Sequence, residues 1–296
     1  MLAIRPSSPL ERPDFFGVVT GIDLRRPLDA ASLAAIEAGM DRYAVLHFPG
    51  QDISDGQQLA FGRCFGELEL ATGDIAQGAE RRLAEPHLND ISNLGKHGEV
   101  LARDDRRRLF GLGNMLWHSD SSFKATPAKY SILSARVLTS RGGNTEFADM
   151  RAAWDTLDAA TRTEIRDLVA EHSQLYSRGS LGFEDWTEAE REHWRPVPQR
   201  LVRRHPVTGR LSLYLASHAG AIRGMPVPEA RMLLRDLTEH ATQRERVHVH
   251  RWSPHDLVMW DNRVTMHRAR AYPASEVREL RRTTVADVAP TLVQAA

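Results

Sequence analysis

The sequence predicts a mainly β fold with peripheral helices and a jelly-roll core. Three observations lead there: many short strand-like runs, turn residues at modest spacing between them, and helical stretches that flank the strands. Together they favour a jelly-roll barrel over the regular strand–helix alternation of a parallel α/β sheet.

The elements follow in order. Residues 17–24 read as a strand bounded by Gly17 and Gly21. Helical spacing of Leu33, Ile36 and Met40 predicts a helix over 32–43, and the apolar run at 44–48 then reads as a buried strand ended by Pro49-Gly50. A further helix is predicted over 55–65. Residues 70–113 are polar, charged and rich in glycine without clear periodicity, and a long loop of that kind inside one domain is a candidate lid. Helices are expected at 150–157, 161–171 and 228–241. Residues 201–215 form a hairpin turned by His205-Pro206-Val207-Thr208-Gly209. Strands at 247–252, 257–260 and 281–286 complete a β-rich second half. We read residues 1–296 as a single domain.

Composition narrows the function. With 296 residues and 42% hydrophobic content, the chain can bury a substantial core. Lys+Arg and Asp+Glu are equal at 39 each, so no overall field attracts nucleic acid or an anionic membrane. A preference for an anionic small molecule must come from a local cluster. The single cysteine, Cys64, rules out an intrachain disulfide, fits a reducing compartment, and is expected to be a buried structural thiol. No signal-like leader or membrane-length apolar run is present, so a soluble cytoplasmic protein is expected, with neither nucleic acid nor membrane as a partner.

The chemistry concentrates in Trp117-His118-Ser119-Asp120. On an extended segment, residues i and i+2 point the same way, so His118 and Asp120 can offer an imidazole and a carboxylate to one point. His267, in Trp260-Asp261-Asn262-Arg263-Val264-Thr265-Met266-His267, would complete a three-ligand face with open positions opposite, a set suited to ferrous iron. A His-x-Asp pair alone is more often a hydrogen-bonded pair at a strand end, and thirteen histidines make chance matches easy. The context strengthens the metal reading: Arg278 and Arg282, four apart, share one side of an extended chain. Two guanidinium groups beside a metal suit acids, which arginine grips in bidentate fashion.

Taken together, these residues resemble the Fe(II)- and 2-oxoglutarate-dependent taurine/2,4-dichlorophenoxyacetate dioxygenase family. The resemblance runs through Thr20-Gly21-Ile22-Asp23-Leu24, Phe48-Pro49-Gly50-Gln51, the His118 segment, Gly142-Gly143-Asn144-Thr145-Glu146-Phe147, Trp260-Asp261-Asn262 with His267, and the late arginines. It implies a double-stranded β-helix fold, His118, Asp120 and His267 as iron ligands, and Thr145 with Arg278 on the distal carboxylate of 2-oxoglutarate. It further implies that Arg282 receives the substrate's acid group and that Asn114 lines the substrate pocket. It also implies O2 as co-substrate and a homo-oligomer. The segments at 114–118, 147–153 and 217–220 are most similar to the branch that cleaves aryloxyalkanoates, which places His218 in the substrate pocket. The implied reaction hydroxylates the carbon between ether oxygen and carboxylate, releasing a phenol and glyoxylate with succinate and CO2.

Other readings stay open on the sequence. Taurine, another alkylsulfonate or a small carboxylate could replace the aryloxyacetate. A metal-dependent hydrolase could use the same three ligands, although it needs no dicarboxylate clamp. A non-catalytic jelly-roll binding protein is a third possibility. His248-Val249-His250 also has i, i+2 spacing, but no carboxylate is obviously matched to it. His172 reads as structural, Trp117 and Trp260 as packing that stiffens the ligand segments, and the charged run at 103–108 as a solvated loop.

Overall fold

The computed structural model describes residues 2–8, 10–71 and 81–294. Among them, a seven-stranded sheet runs in the order Ala3–Pro6, Gly17–Thr20, Val45–Phe48, Leu257–Asp261, Ala128–Val137, Glu279–Ala286, Leu88–Ser92. A smaller sheet is made of Val247–His250, Thr145–Asp149 and Thr265–Ala269, with Thr145–Asp149 in the middle. Pairing is antiparallel except between Gly17–Thr20 and Val45–Phe48. The two sheets pack face to face through Phe147 of the smaller one and Leu133, Val258, Trp260 and Leu280 of the larger. This is the jelly-roll core that the sequence predicts.

Period-two alternation sorts the side chains between two cores. On Leu257–Asp261, Val258 and Trp260 point between the sheets, whereas Leu257 and Met259 join the outer core. On Ala128–Val137, Leu133 and Ala135 face inward, and Tyr130 and Ile132 face out. Two helices cover that outer face. Ala30–Tyr43 starts at Asp29, whose carboxylate accepts from the Ser32 amide at 2.7 Å, and Asp55–Arg63 starts with a reciprocal Ser54/Gln57 capping box. Behind the smaller sheet, Val227–Ala241 buries Ala230, Leu234, Leu237 and Ala241 on one stripe.

Three sequence expectations are corrected. The helix expected over 161–171 stops at Ile165 (Ala159–Ile165), and Val169–His172 is a strand paired with Val197–Arg200 and Ala219–Ile222. Pairing on both edges overrides the helical spacing there, and His172 is a strand residue. Cys64 is exposed, because it caps the helix Asp55–Arg63 on the side facing away from the core. Residues 70–113 are not one loop: Leu88–Ser92 completes the edge of the large sheet and Arg106–Gly111 is a short helix. Residues 72–80, the middle of the expected lid, lie outside the described residues. Among the described residues, no helix is long and apolar enough to cross a membrane.

Candidate metal centre and substrate cavity

His118 does not sit in a long strand. It makes one antiparallel bridge with His267, the two amides donating to each other's carbonyls at 3.0 and 2.8 Å. That bridge joins a strand-like link to Thr265–Ala269 and brings the two histidines side by side, ring centroids 4.2 Å apart. Asp120 follows two residues on and opens a tight turn that runs through Ser121 at φ 54°. So the i, i+2 relation survives on a short extended stretch rather than on a strand. His118 Nε2 lies 3.8 Å from Asp120 Oδ1, and His267 Nε2 lies 3.7 Å from Asp120 Oδ2.

The surroundings hold this set rigid. His118 Nδ1 meets the Leu116 carbonyl at 2.7 Å, which turns Nε2 toward Asp120. Ser131 donates to Asp120 Oδ2 at 2.7 Å, and Asn262 accepts from the Asp120 amide at 3.1 Å. Asn262 is itself fixed by Trp260 Nε1 at 3.0 Å and by its own donation to Ser131 at 2.9 Å. Trp260, fully buried, packs its ring 4.6 Å from that of His267, so packing does support the ligands there.

Electrostatics prepare the three groups for a cation. Burial pushes the Asp120 carboxyl up, but the adjacent Arg282 guanidinium more than offsets it and holds it at about 2. Burial drives both histidines below their ordinary range, so each presents a neutral, lone-pair-bearing nitrogen. Two donors bound about 2.1 Å from one ion sit about 3.0–3.4 Å apart, so the observed gaps need only slight contraction. The residues therefore fit a ferrous ion, with two neutral imidazoles and one carboxylate on one face.

His118 and Asp120 open onto a cavity of about 250 Å³. Arg278 and Arg282 both line it, as their spacing predicts, even though a register shift falls between Glu279 and Leu280. Arg282 forms an ion pair with Asp120 Oδ1, a contact that the sequence did not suggest. Arg278 donates to the Gly143 carbonyl at 3.0 Å and lies over the Tyr272 ring at 5.1 Å. Asn114 and His218 are also on the wall, and His218 is buried with its Nδ1 2.9 Å from Ser177 Oγ. Thr145 is buried on Thr145–Asp149 and accepts from Trp252 Nε1 at 3.0 Å; it is not among the described residues that line the cavity. Sequence reasoning missed Arg178, which lines the same space from a six-residue helix with too little periodicity to place it.

A second histidine–carboxylate group exists. His47, His250 and Asp256 converge, so the carboxylate that His248-Val249-His250 lacked in sequence is supplied by the turn before Leu257–Asp261. There His47 Nε2 lies 2.9 Å from Asp256 Oδ1, a direct contact that closes the space an ion needs. Asp256 also accepts from the Ser253 amide at 2.8 Å, so this group fixes a turn.

Comparison with known proteins agrees with this geometry. The profile of the family described as "Taurine catabolism dioxygenase TauD, TfdA family" matches residues 3–284. The alpha-ketoglutarate-dependent 2,4-dichlorophenoxyacetate dioxygenase of Cupriavidus pinatubonensis is 49% identical over 276 residues, 93% of this chain and 96% of that protein. A (S)-phenoxypropionate/alpha-ketoglutarate-dioxygenase from Sphingobium herbicidovorans is 38% identical, covering 89% of each chain. The crystal structure of AAD-2 in complex with Mn(II) and N-oxalylglycine superposes with a TM-score of 0.90 at 56% identity, over 99% of this chain and 100% of that one.

Proposed function

The chain belongs to the TauD/TfdA family and is an iron- and 2-oxoglutarate-dependent dioxygenase; on that premise we propose that its substrate is an aryloxyacetate such as 2,4-dichlorophenoxyacetate. The observation that carries this reading is one cavity joining a His118/Asp120/His267 face to acid-binding arginines and an apolar wall. Phe110, Leu112, Met115 and Phe123 form that wall and suit a chlorinated ring. The names of the similar dioxygenases, which act on 2,4-dichlorophenoxyacetate and (S)-phenoxypropionate, support the aryloxy class over taurine.

Iron, when bound, couples oxidative decarboxylation of 2-oxoglutarate by O2 to insertion of one oxygen atom into a substrate C–H bond. His118, Asp120 and His267 would hold it. Arg278 and Thr145 would hold the far carboxylate of 2-oxoglutarate; Gly143 and Tyr272 already fix the guanidinium. Arg282 keeps Asp120 ionised and offers its remaining donors, among them a buried Nε without a partner, to the substrate's acid group. Asn114 and His218 would shape the pocket around the aryl ether. The protein's part is positioning: it must present one carbon, between ether oxygen and carboxylate, to the metal face. Hydroxylation of that carbon gives a hemiacetal; its bond to the ether oxygen breaks, the ether oxygen leaves on the ring and takes up the hydroxyl proton as a phenol, and the carbon becomes the aldehyde of glyoxylate.

Leu83, Leu94, Leu101 and Phe110 supply much of the cavity wall among the described residues, and we assign the described part of residues 70–113 as the cover of a single catalytic domain. The proposal extends to a cytoplasmic homo-oligomer, which light scattering checks. Incubation with Fe(II), 2-oxoglutarate, O2 and 2,4-dichlorophenoxyacetate should give succinate and 2,4-dichlorophenol in equal amounts. Succinate without the phenol, with taurine or another acid coupling better, would overturn the substrate assignment.

A further inference from the structure

Arg178 is a buried cation without an acid. The residue is 5% exposed. Its NH1 donates to Ser177 Oγ at 3.1 Å, its Nε has no partner, and among the described residues no carboxylate pairs with it. Two arginines at the outer wall contrast with it: Arg82 is paired with Asp90 and Arg107 with Asp105.

The group is also held in place with care. Phe110 lies under it, 4.6 Å from ring centroid to guanidinium carbon. Ser177 fixes one amine and is itself 2.9 Å from His218 Nδ1. Gly113 makes room for it, because a Cβ there would stand 2.3 Å from the Arg178 guanidinium carbon. Burial, with repulsion from Arg282, pulls Arg178 down to about 10, so it remains cationic at neutral pH.

A buried, oriented charge needs a counter-charge, because neither a ring face nor a hydroxyl neutralises it. Arg282 cannot relieve it, and the Asp120 carboxylate is already engaged by Arg282. Arg178 opens on the same cavity. The far carboxylate of 2-oxoglutarate is assigned above to Arg278 and Thr145, whose partners are Gly143, Tyr272 and Trp252, whereas Arg178 is held by Ser177 and Phe110. What remains is an anion that enters the cavity beside Phe110 and Phe123.

Resting on the aryloxyacetate reading above, we propose that Arg178, backed by Ser177 and His218 and accommodated by Gly113, is a second anchor for the substrate's carboxylate, which it shares with Arg282. It makes the enzyme select aryloxy acids over their neutral esters.

The test compares 2,4-dichlorophenoxyacetate with its methyl ester in the iron- and 2-oxoglutarate-loaded enzyme, in wild type, Arg178→Gln and Arg178→Lys. Arg178→Gln should raise KM for the acid about 10- to 100-fold, the range for a hydrogen bond to a charged group. KM for the ester and for 2-oxoglutarate should stay within about twofold of wild type, and Arg178→Lys should restore part of the acid's affinity. The acid-to-ester ratio removes general damage to the fold, which would weaken both ligands together. An unchanged acid KM, or equal losses for acid and ester, in a wild-type background that turns the acid over would overturn the role of Arg178 alone. Wild type that binds neither acid nor ester would overturn the aryloxyacetate reading and this proposal with it.

Discussion

Single residues decide the chemistry, and some were legible from the chain. His118 and Asp120 could be read because an i, i+2 relation is local and survives even the short bridge that replaces a full strand. His267 was legible only as part of a motif, since nothing local places it across from His118. Arg282 was found, but its ion pair with Asp120 was not, because that contact spans 162 residues of sequence. Arg178 was invisible for the same reason: Gly113 and Phe110, distant in sequence, give it meaning. Two outcomes follow. His118→Ala should abolish iron-dependent 2-oxoglutarate consumption, and normal succinate formation in that variant would remove His118 from the ligand set. Arg282→Ala should weaken substrate binding by about 1.5–3 kcal/mol. An unchanged substrate KM in that variant would place Arg282 outside the substrate pocket.

Secondary elements were readable where the pattern of apolar residues or a turn signal was clear in the chain. The helix Ala30–Tyr43 showed itself in the helical spacing of Leu33, Ile36 and Met40, and the hairpin of Val202–Arg204 with Leu211–Leu213 in its turn His205-Pro206-Val207-Thr208-Gly209. Ala128–Val137 did not announce itself: it is buried on both faces and carries Ser131 and Ser134 inside, which hides the alternation. The strand Val169–His172 was mistaken for helix because edge pairing, not local spacing, decides it. The turn before Thr145–Asp149 shows how an element serves the site. Gly142 has φ +73°, and a Cβ there would stand 2.3 Å from the Ala271 carbonyl oxygen. Gly142→Ala should therefore cost about 1–3 kcal/mol of stability. It should also raise KM for 2-oxoglutarate, since the same turn presents the Gly143 carbonyl to Arg278. A thermal melt together with a 2-oxoglutarate titration checks this, and an unaltered melting temperature would contradict it.

At the scale of the whole molecule, sheet packing and buried ionisable groups set the conditions under which the site exists. His172 is fully buried with both ring nitrogens unpartnered, stacked 5.9 Å from Tyr214, and burial alone lowers it to about 3. The unfolded chain takes up a proton there near pH 6.5, whereas the folded chain does so only near pH 3. Between those values the unfolded state binds more protons, so stability rises with pH and is lost on acidification, by up to about 1.4 kcal/mol per pH unit from this group. His172→Phe should keep the stacking and flatten the melting-temperature profile of the metal-free protein between pH 6.5 and 4. An equally steep profile in the variant would show that His172 does not carry this dependence.

The most direct measurement is anaerobic. Fe(II) is titrated into the metal-free protein in the presence of 2-oxoglutarate, and the visible charge-transfer absorption of the complex is followed in wild type and Asp120→Ala. One equivalent of iron per chain should produce the band in wild type, and Asp120→Ala should fail to form it at the same iron concentration. A band of equal strength and stoichiometry without the Asp120 carboxylate would contradict a ferrous centre built on His118, Asp120 and His267.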